Sequence, residues 1–134
     1  MFRVTREIHF CYGHRLLNYE GKCRHLHGHN GRAVVTLEGP GLDQRGMLMD
    51  FSDMKRVLQG WIDATIDHKM LLHRDDPVLP DLKARNEPFV VMDVNPTAEN
   101  IAKMIFDQAK FQGFPVVEVT LWETANCCAT YTGE

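Results

Sequence analysis

In residues 2–11, FRVTREIHFC, apolar and polar side chains alternate along the chain. Phe2, Val4, Ile8 and Phe10 share one parity, whereas the other parity is polar through most of the stretch. A period of two is typical of a β-strand with one buried face. The pattern therefore predicts a first strand that ends near residue 11.

The same alternation returns over His29–Glu38, where Ala33, Val35 and Leu37 share one side. Gly39-Pro40-Gly41 ends this second strand, since glycine and proline interrupt a regular ladder. Closer to the C-terminus, alternation over residues 117–123 predicts a third strand, and residues 127–131 make a plausible fourth.

Between these strands the apolar period changes to three and four, which is typical of amphipathic helices. Residues at that spacing predict a first helix over 53–66, with Ser52 or Asp50 as its N-cap. The segment Asn95-Pro96-Thr97-Ala98-Glu99 predicts the start of a second helix, since a capping residue is followed by proline in the first turn. Gly113 closes that helix.

These elements follow one another in the order ββααββ, which is typical of an α+β fold. We expect one domain over residues 1–134, with a four-stranded antiparallel sheet and two helices on one face. A connector with Pro77, Pro80 and Pro88 carries a short apolar run over 89–92, whose type the pattern leaves undecided. A four-stranded sheet has two open edges, and pairing with neighbouring subunits is one way to cover them.

The composition is that of ordinary globular material, with 134 residues, 44% of them apolar and 25% charged. A net charge of −3 argues against nucleic acid or a membrane surface as a partner. No apolar run is long enough for a membrane span and no export signal is evident, so the cytoplasm is the expected compartment. The four cysteines are then expected to be thiols or metal ligands. A disulfide-stapled secreted domain conflicts with this context and with the adjacent Cys127-Cys128.

Histidines crowd near the N-terminus, where five of the seven fall within the 21 residues from His9 to His29. In His27-Gly28-His29 the two imidazoles lie at i and i+2, so an extended chain points both toward one ion. His14 is the best third ligand, because adjacent strands would bring it across from that pair. Three imidazoles with an open fourth position suit zinc first, with iron, nickel or copper permitted. The alternative is three separate surface histidines.

Cys23 lies four residues before His27 and has two possible roles. As a fourth metal ligand it would close the site and make it structural. As a nucleophile or base beside the metal it would act in catalysis, and the flanking cations Lys22 and Arg24 favour a thiolate. The other three cysteines are better candidates for small buried side chains.

Two further groups carry potential chemistry. Asp67-His68 is an acid–imidazole pair, and a carboxylate that orients a histidine suits proton transfer, although such dipeptides often occur by chance. Residues 73–76 downstream of it are expected to be a solvated loop. Glu123 shares its parity with the apolar side of the third strand, where a carboxylate is costly unless it is paired. The amino-pyrimidine edge of a ligand would form two hydrogen bonds to this carboxylate. The alternative, which stays equally open, is a glutamate at the strand end that is exposed to water.

Seven short motifs run in order along the chain: FCYGHRL (10–16), CRHLHGH (23–29), GMLMDF (46–51), IDH (66–68), NPTAEN (95–100), ET (123–124) and Tyr131. Together they resemble the 6-pyruvoyl-tetrahydropterin synthase / 6-carboxy-tetrahydropterin synthase family over almost the whole chain. The resemblance implies a tunnelling fold in which three sheets close into a twelve-stranded barrel and two barrels stack as a homohexamer, with 7,8-dihydroneopterin triphosphate as the substrate. It also implies site roles: zinc ligands at His14, His27 and His29, a proton-abstracting thiolate at Cys23, an acid/base pair at Asp67 and His68, and a pterin anchor at Glu123.

Residues 23–29, CRHLHGH, resemble the carboxy branch of that family, which serves 7-deazaguanine (queuosine) biosynthesis. The implied reaction is a zinc-dependent lyase step that releases triphosphate and acetaldehyde and leaves 6-carboxy-tetrahydropterin. Arg15, Lys22 and Arg24 are candidates for attracting the triphosphate. Two alternatives stay open, namely a 6-pyruvoyl-tetrahydropterin product and a non-catalytic metal- or pterin-binding subunit with Cys23 as a fourth ligand.

Overall fold

A computed structural model describes residues 1–134 and contains one mixed sheet. Its strands are β1 (Phe2–His14), β2 (His27–Gly39), β3 (Lys69–His73), β4 (Phe89–Met92), β5 (Val116–Trp122) and β6 (Cys128–Tyr131). They lie in the order β4-β3-β1-β2-β5-β6. The long β1–β2 pair runs antiparallel from Phe2 opposite Gly39 to His14 opposite His27, so both predicted strands extend beyond their expected ends.

Helical structure covers two main stretches and two short ones. The segments are α1 (Phe51–Met54), a π-helical turn (Lys55–Gln59), α2 (Gly60–Thr65), α3 (Leu79–Ala84), α4 (Ala98–Phe111) and a 3-10 turn (Lys22–Arg24). The first three follow one another without a break and confirm the predicted first helix. Asp50 is its N-cap, because its carboxylate accepts from the Ser52 N–H at 2.8 Å. None of these helices is long and apolar enough to cross a membrane.

The second helix begins later than predicted, because Thr97 and not Asn95 is its N-cap. The Thr97 hydroxyl accepts from the Asn100 N–H at 3.2 Å. Asn95 instead bonds the Leu17 backbone with both ends of its amide, at 2.8 and 2.9 Å. Pro96 therefore precedes the helix. At the other end, Gly113 has φ +88° and stops the helix as expected.

The predicted four-stranded antiparallel sheet was wrong in strand number and direction. β3 pairs in parallel with β1, and β4 pairs in parallel with β3, so the sheet is mixed and has six strands. β3 escaped detection because Leu71 and Leu72 are both fully buried, so the strand has no alternation to read. The undecided run over 89–92 is β4.

The hydrophobic core lies between one sheet face and the helices. The same-parity residues of β1 and β2 supply the sheet side, and α4 packs against β5 and β6. The fully buried large side chains of the core include Ile8, Leu37, Met54, Leu58, Ile62, Ile66, Ile101, Ile105 and Leu121. The parity that buries Ile8, Phe10 and Tyr12 also buries His14, so β1 carries its last side chain directly from the core into the candidate site.

Candidate metal centre and active site

Three histidines meet where β1 ends and β2 begins. His14 lies opposite His27 in the β1–β2 register, and His29 is two residues further along β2 on the same side. Their ring centroids are 4.5 to 5.0 Å apart. One ring nitrogen from each lies within 4.8 Å of the other two, so the three are able to bind one ion. We call this group the histidine triad.

Hydrogen bonds orient two of these imidazoles. Nδ1 of His14 donates to the Pro96 carbonyl at 2.6 Å, and Nδ1 of His27 donates to the His25 carbonyl at 2.7 Å. Because a carbonyl only accepts, the proton sits on Nδ1 and leaves Nε2 with a free lone pair. Nε2 of all three histidines is buried and has no hydrogen-bond partner in the chain. Three converging, unpaired imidazole nitrogens fit a zinc-type cation.

The surroundings of His14 and His29 favour neutral imidazoles, which is the form that binds metals. Burial lowers the pKa of His14, and the neighbouring His27 and His29 lower it further, against the opposing effects of the Pro96 carbonyl and Glu123. Burial also lowers the pKa of His29. The negative charge of Glu123 acts in the opposite direction and offsets part of the lowering of both pKa values.

Glu123 follows β5 immediately and faces the triad. Its carboxylate oxygen Oε1 lies 3.7 Å from Nε2 of His14 and 4.0 Å from Nε2 of His29. The side chain is 25% exposed, so solvent reaches the carboxylate beside the buried Nε2 atoms of the triad. Its parity with the buried Val119 and Leu121 therefore did indicate an inward-facing carboxylate.

Cys23 lies in the 3-10 turn between β1 and β2. Its thiol sulfur does not belong to the cluster of ligand atoms that the triad forms. Its carbonyl accepts from the Leu16 N–H at 2.8 Å, which ties the turn to the chain just after His14. The thiol is half-buried and free. Lys22 and Arg24 on either side are exposed.

Asp67 and His68 form a closed hydrogen-bonded unit with Cys11. His68 Nδ1 donates to Asp67 Oδ2 at 2.8 Å, and the other carboxylate oxygen accepts from the Cys11 N–H at 3.0 Å. The Cys11 thiol lies 3.3 Å from His68 Nε2, a contact that sequence reasoning missed when it treated Cys11 as a small buried side chain. Burial pushes the pKa of Asp67 up, but the Cys11 N–H, His68 and Lys69 outweigh it and hold that pKa below its ordinary value.

This unit and the triad occupy different faces of β1. Cys11 and His14 have opposite parity, and successive side chains of a strand point to opposite sides. Cys11 and His68 line a cavity of about 480 Å³, whose wall also includes Gly13, Met70 and, from the triad, His27. One chain therefore brings Glu123 to the triad but leaves the Asp67–His68 pair on the far side of the sheet.

Arg15 does not face the triad as a free cation. Its guanidinium makes two hydrogen bonds to Asp76, with Nε at 2.8 Å from Oδ2, and the Asp76 side chain is fully buried. The expectation of a solvated loop over 73–76 was right for the exposed Arg74 and Asp75 but wrong at both ends, because His73 ends β3 and Asp76 is one of the few buried charged residues. Lys22 and Arg24 are the remaining predicted triphosphate contacts, and both lie at a shallow surface pocket with Glu20 and His25.

Several known proteins are similar to this chain over most of its length. The family model described as 6-pyruvoyl tetrahydropterin synthase matches residues 3–134. A Rickettsia bellii protein named 6-carboxy-5,6,7,8-tetrahydropterin synthase is 34% identical over 134 residues, covering 95% of this chain and 97% of the relative. An Aquifex aeolicus protein of the same name is 37% identical over 84% of this chain and 77% of the relative. Human 6-pyruvoyl tetrahydrobiopterin synthase is 32% identical over 98% and 92%.

Solved structures share the backbone fold of this chain. An uncharacterized protein from Wolinella succinogenes superposes with a TM-score of 0.81 at 28% identity, covering 99% of this chain and 98% of that one. Caenorhabditis elegans 6-pyruvoyl tetrahydropterin synthase superposes with a TM-score of 0.74 at 25% identity, covering 99% and 96%. With the family model matched from Arg3 to the last residue, the chain belongs to the 6-pyruvoyl tetrahydropterin synthase family.

Proposed function

We propose that this chain is a zinc-dependent lyase of the 6-carboxy-5,6,7,8-tetrahydropterin synthase type. It converts 7,8-dihydroneopterin triphosphate and water to 6-carboxy-5,6,7,8-tetrahydropterin, triphosphate and acetaldehyde. The observation that carries the proposal is the triad of unpaired Nε2 atoms with a carboxylate beside it. Relatives of nearly equal length that bear the carboxy name support the choice of product.

His14, His27 and His29 would hold the Zn²⁺ ion through Nε2. When bound, zinc supplies Lewis acidity toward the hydroxyl groups of the substrate side chain and so acidifies the adjacent C–H. The protein's own contribution is orientation, because the Pro96 and His25 carbonyls fix two of the imidazoles in the tautomer that leaves Nε2 free.

Glu123 would bind the pterin ring. Its carboxylate is a bidentate acceptor, and the 2-amino-pyrimidine edge of a pterin presents two adjacent N–H donors. The position of Oε1 near His14 and His29 would keep the ring close to the triad while the side chain stays 25% exposed to incoming substrate.

Cys23 would remove the proton from the substrate carbon as a thiolate, and the Asp67–His68 pair would return or relay protons. The Asp67 carboxylate holds the proton of His68 on Nδ1, so Nε2 is the atom that exchanges protons with substrate. Since this pair and the triad lie on opposite faces of β1, we propose that the pair serves the triad of a neighbouring subunit.

That arrangement requires an oligomer. We propose a homohexamer in which the sheets of three subunits close into a barrel and two barrels stack. A sheet with free outer strands supports this, because unpaired edges invite pairing with another chain. The four free cysteines and the need for a reduced Cys23 support a cytoplasmic enzyme, with 7-deazaguanine (queuosine) biosynthesis as the pathway served.

The second candidate is a 6-pyruvoyl-tetrahydropterin synthase, which the human relative's name and the family's description favour. It would use the same residues and stop after triphosphate elimination. A non-catalytic metal- or pterin-binding subunit with Cys23 as a fourth ligand is less well supported, because Cys23 is not grouped with the triad.

One experiment separates these functions. Zinc-loaded protein is incubated with 7,8-dihydroneopterin triphosphate, and the products are identified by mass spectrometry. Acetaldehyde with 6-carboxy-tetrahydropterin supports the proposal, whereas 6-pyruvoyl-tetrahydropterin without acetaldehyde supports the second candidate. Unchanged substrate with fully zinc-loaded, oligomeric protein contradicts both.

A further inference from the structure

Four buried side-chain nitrogen or oxygen atoms in this chain have no hydrogen-bond partner, and all belong to one neighbourhood. Three are the Nε2 atoms of the histidine triad, which the proposed zinc ion would satisfy. The fourth is the hydroxyl of Tyr12, a residue that is only 3% exposed. A buried hydroxyl without a partner is costly, so the function of this group needs its own explanation.

Tyr12 lies under the triad. It precedes His14 by two residues in β1, so both side chains point the same way. Its ring centroid is 5.2 Å from that of His14 in an edge-on arrangement and 5.7 Å from that of His29. The phenol therefore packs against two of the three proposed ligands.

Gly31 lets the Tyr12 ring reach across β2. A Cβ atom at position 31 would lie 2.9 Å from Cε1 of Tyr12, which is closer than real Cβ contacts allow. On the other side of β2, Arg32 pairs with Trp122 in β5, so the antiparallel register brings Glu123 beside Gly31. The missing side chain at position 31 opens a passage between Tyr12 and Glu123.

The two groups at the ends of this passage are complementary. The Tyr12 phenol is a donor, because its hydroxyl carries a proton that no acceptor in the chain receives. The Glu123 carboxylate accepts no side-chain hydrogen bond of normal geometry in the chain, and the Nε2 atoms of His14 and His29 lie 3.7 and 4.0 Å from its Oε1. The Tyr12 hydroxyl lacks an acceptor, and the nearby Glu123 carboxylate lacks a side-chain donor.

We propose that the Tyr12 hydroxyl donates a hydrogen bond to the Glu123 carboxylate and so fixes its direction beside the triad. Tyr12 is then a positioning residue that acts through Glu123. A carboxylate has more acceptor sites than this one bond uses, so its outer side stays available to a ligand. The effect on pterin binding rests on the proposed role of Glu123, whereas the hydrogen bond itself does not.

A double-mutant cycle tests this inference on the zinc-loaded protein. The variants are Y12F, E123A and the two combined, with Y131F as the matched control, because the Tyr131 ring packs on Phe106 in the core. Each variant is measured for zinc content, for its thermal unfolding midpoint, and for its dissociation constant with sepiapterin by calorimetry. The cycle reports the interaction between the two side chains separately from the effect of either one.

We expect Y12F to weaken sepiapterin binding about 10-fold or more, as for loss of a hydrogen bond to a charged group, with zinc content unchanged. It should also lower the unfolding midpoint by about 3 °C or more. In the E123A background, where position 123 has no acceptor, Y12F should produce neither change. Equal effects of Y12F in both backgrounds, or no effect on the midpoint, would overturn the inference. If the wild type fails to bind sepiapterin, the proposed function fails, and the thermal cycle alone still decides whether the hydrogen bond forms.

Discussion

Replacing Arg15 by methionine separates two roles for this cation, because it either stabilises the fold or attracts the triphosphate. In the structure its guanidinium bonds both carboxylate oxygens of Asp76, whose side chain is fully buried, and Arg15 itself is 23% exposed. Methionine keeps most of the apolar stem but leaves the buried carboxylate without its cation. We therefore expect the main effect to be on stability.

The size of that effect follows from the burial of Asp76. Removing one partner of a buried ion pair costs about 3–5 kcal/mol, and the lower end applies because the Val78 N–H still bonds the carboxylate at 2.9 Å. For a domain of this length about 3 kcal/mol lowers the unfolding midpoint by roughly 10 °C.

The pH dependence has a definite sign. The bond from Arg15 lowers the pKa of Asp76, against burial and with help from the Val78 N–H. A lowered pKa in the folded state means that the stability is present above the ordinary pKa of aspartate and is lost as pH falls through the folded value. The difference in midpoint between wild type and Arg15→Met should thus be largest at about pH 7 to 8 and narrow as pH falls, because Asp76 without Arg15 is protonated at a higher pH than in the wild type.

Circular-dichroism melts across this pH range provide the measurement, with Arg24→Met as the control. Arg24 is exposed and makes no ion pair, so its replacement should leave the midpoint nearly unchanged. Calorimetric titration with inorganic triphosphate completes the comparison. If Arg15→Met melts like the wild type and loses affinity for triphosphate, the structural role is wrong and the substrate-binding role returns.

Three further predictions concern the site. His27→Ala should leave the protein nearly free of zinc by elemental analysis, because one of three ligands is gone, and full occupancy would contradict the triad as the metal site. Cys23→Ala should keep zinc and the oligomer but lose turnover by about 10²-fold or more; loss of zinc with the thiol would instead support a structural four-ligand site. Glu123→Gln should weaken pterin binding by roughly 30- to 1000-fold, since an acceptor oxygen becomes a donor amide, and calorimetry that finds equal affinity would return Glu123 to a solvated strand end.

Local patterns in the sequence were enough to predict the histidine triad as a group. Residues at i and i+2 of a strand point the same way, so His27 and His29 had to share a side once their segment was extended. His14 was within reach because β1 and β2 follow each other and pair, which is the commonest arrangement for consecutive strands. The amphipathic period over 53–66 likewise contained everything needed to recognise the first helix.

Those local patterns could not predict buried strands or contacts between residues far apart in the sequence. A buried strand such as β3 shows no alternation, so neither its existence nor its parallel pairing with β1 was visible. The Pro96 carbonyl orients His14 across 82 residues, and Asp76 is buried only because Arg15 meets it across 61. The position of the Asp67–His68 pair on the far face of β1 likewise depends on a distant contact, since Asp67 accepts from the Cys11 N–H across 56 residues. Periodicity tells which side of an element is apolar, but which distant group comes to meet a side chain depends on how the elements pack.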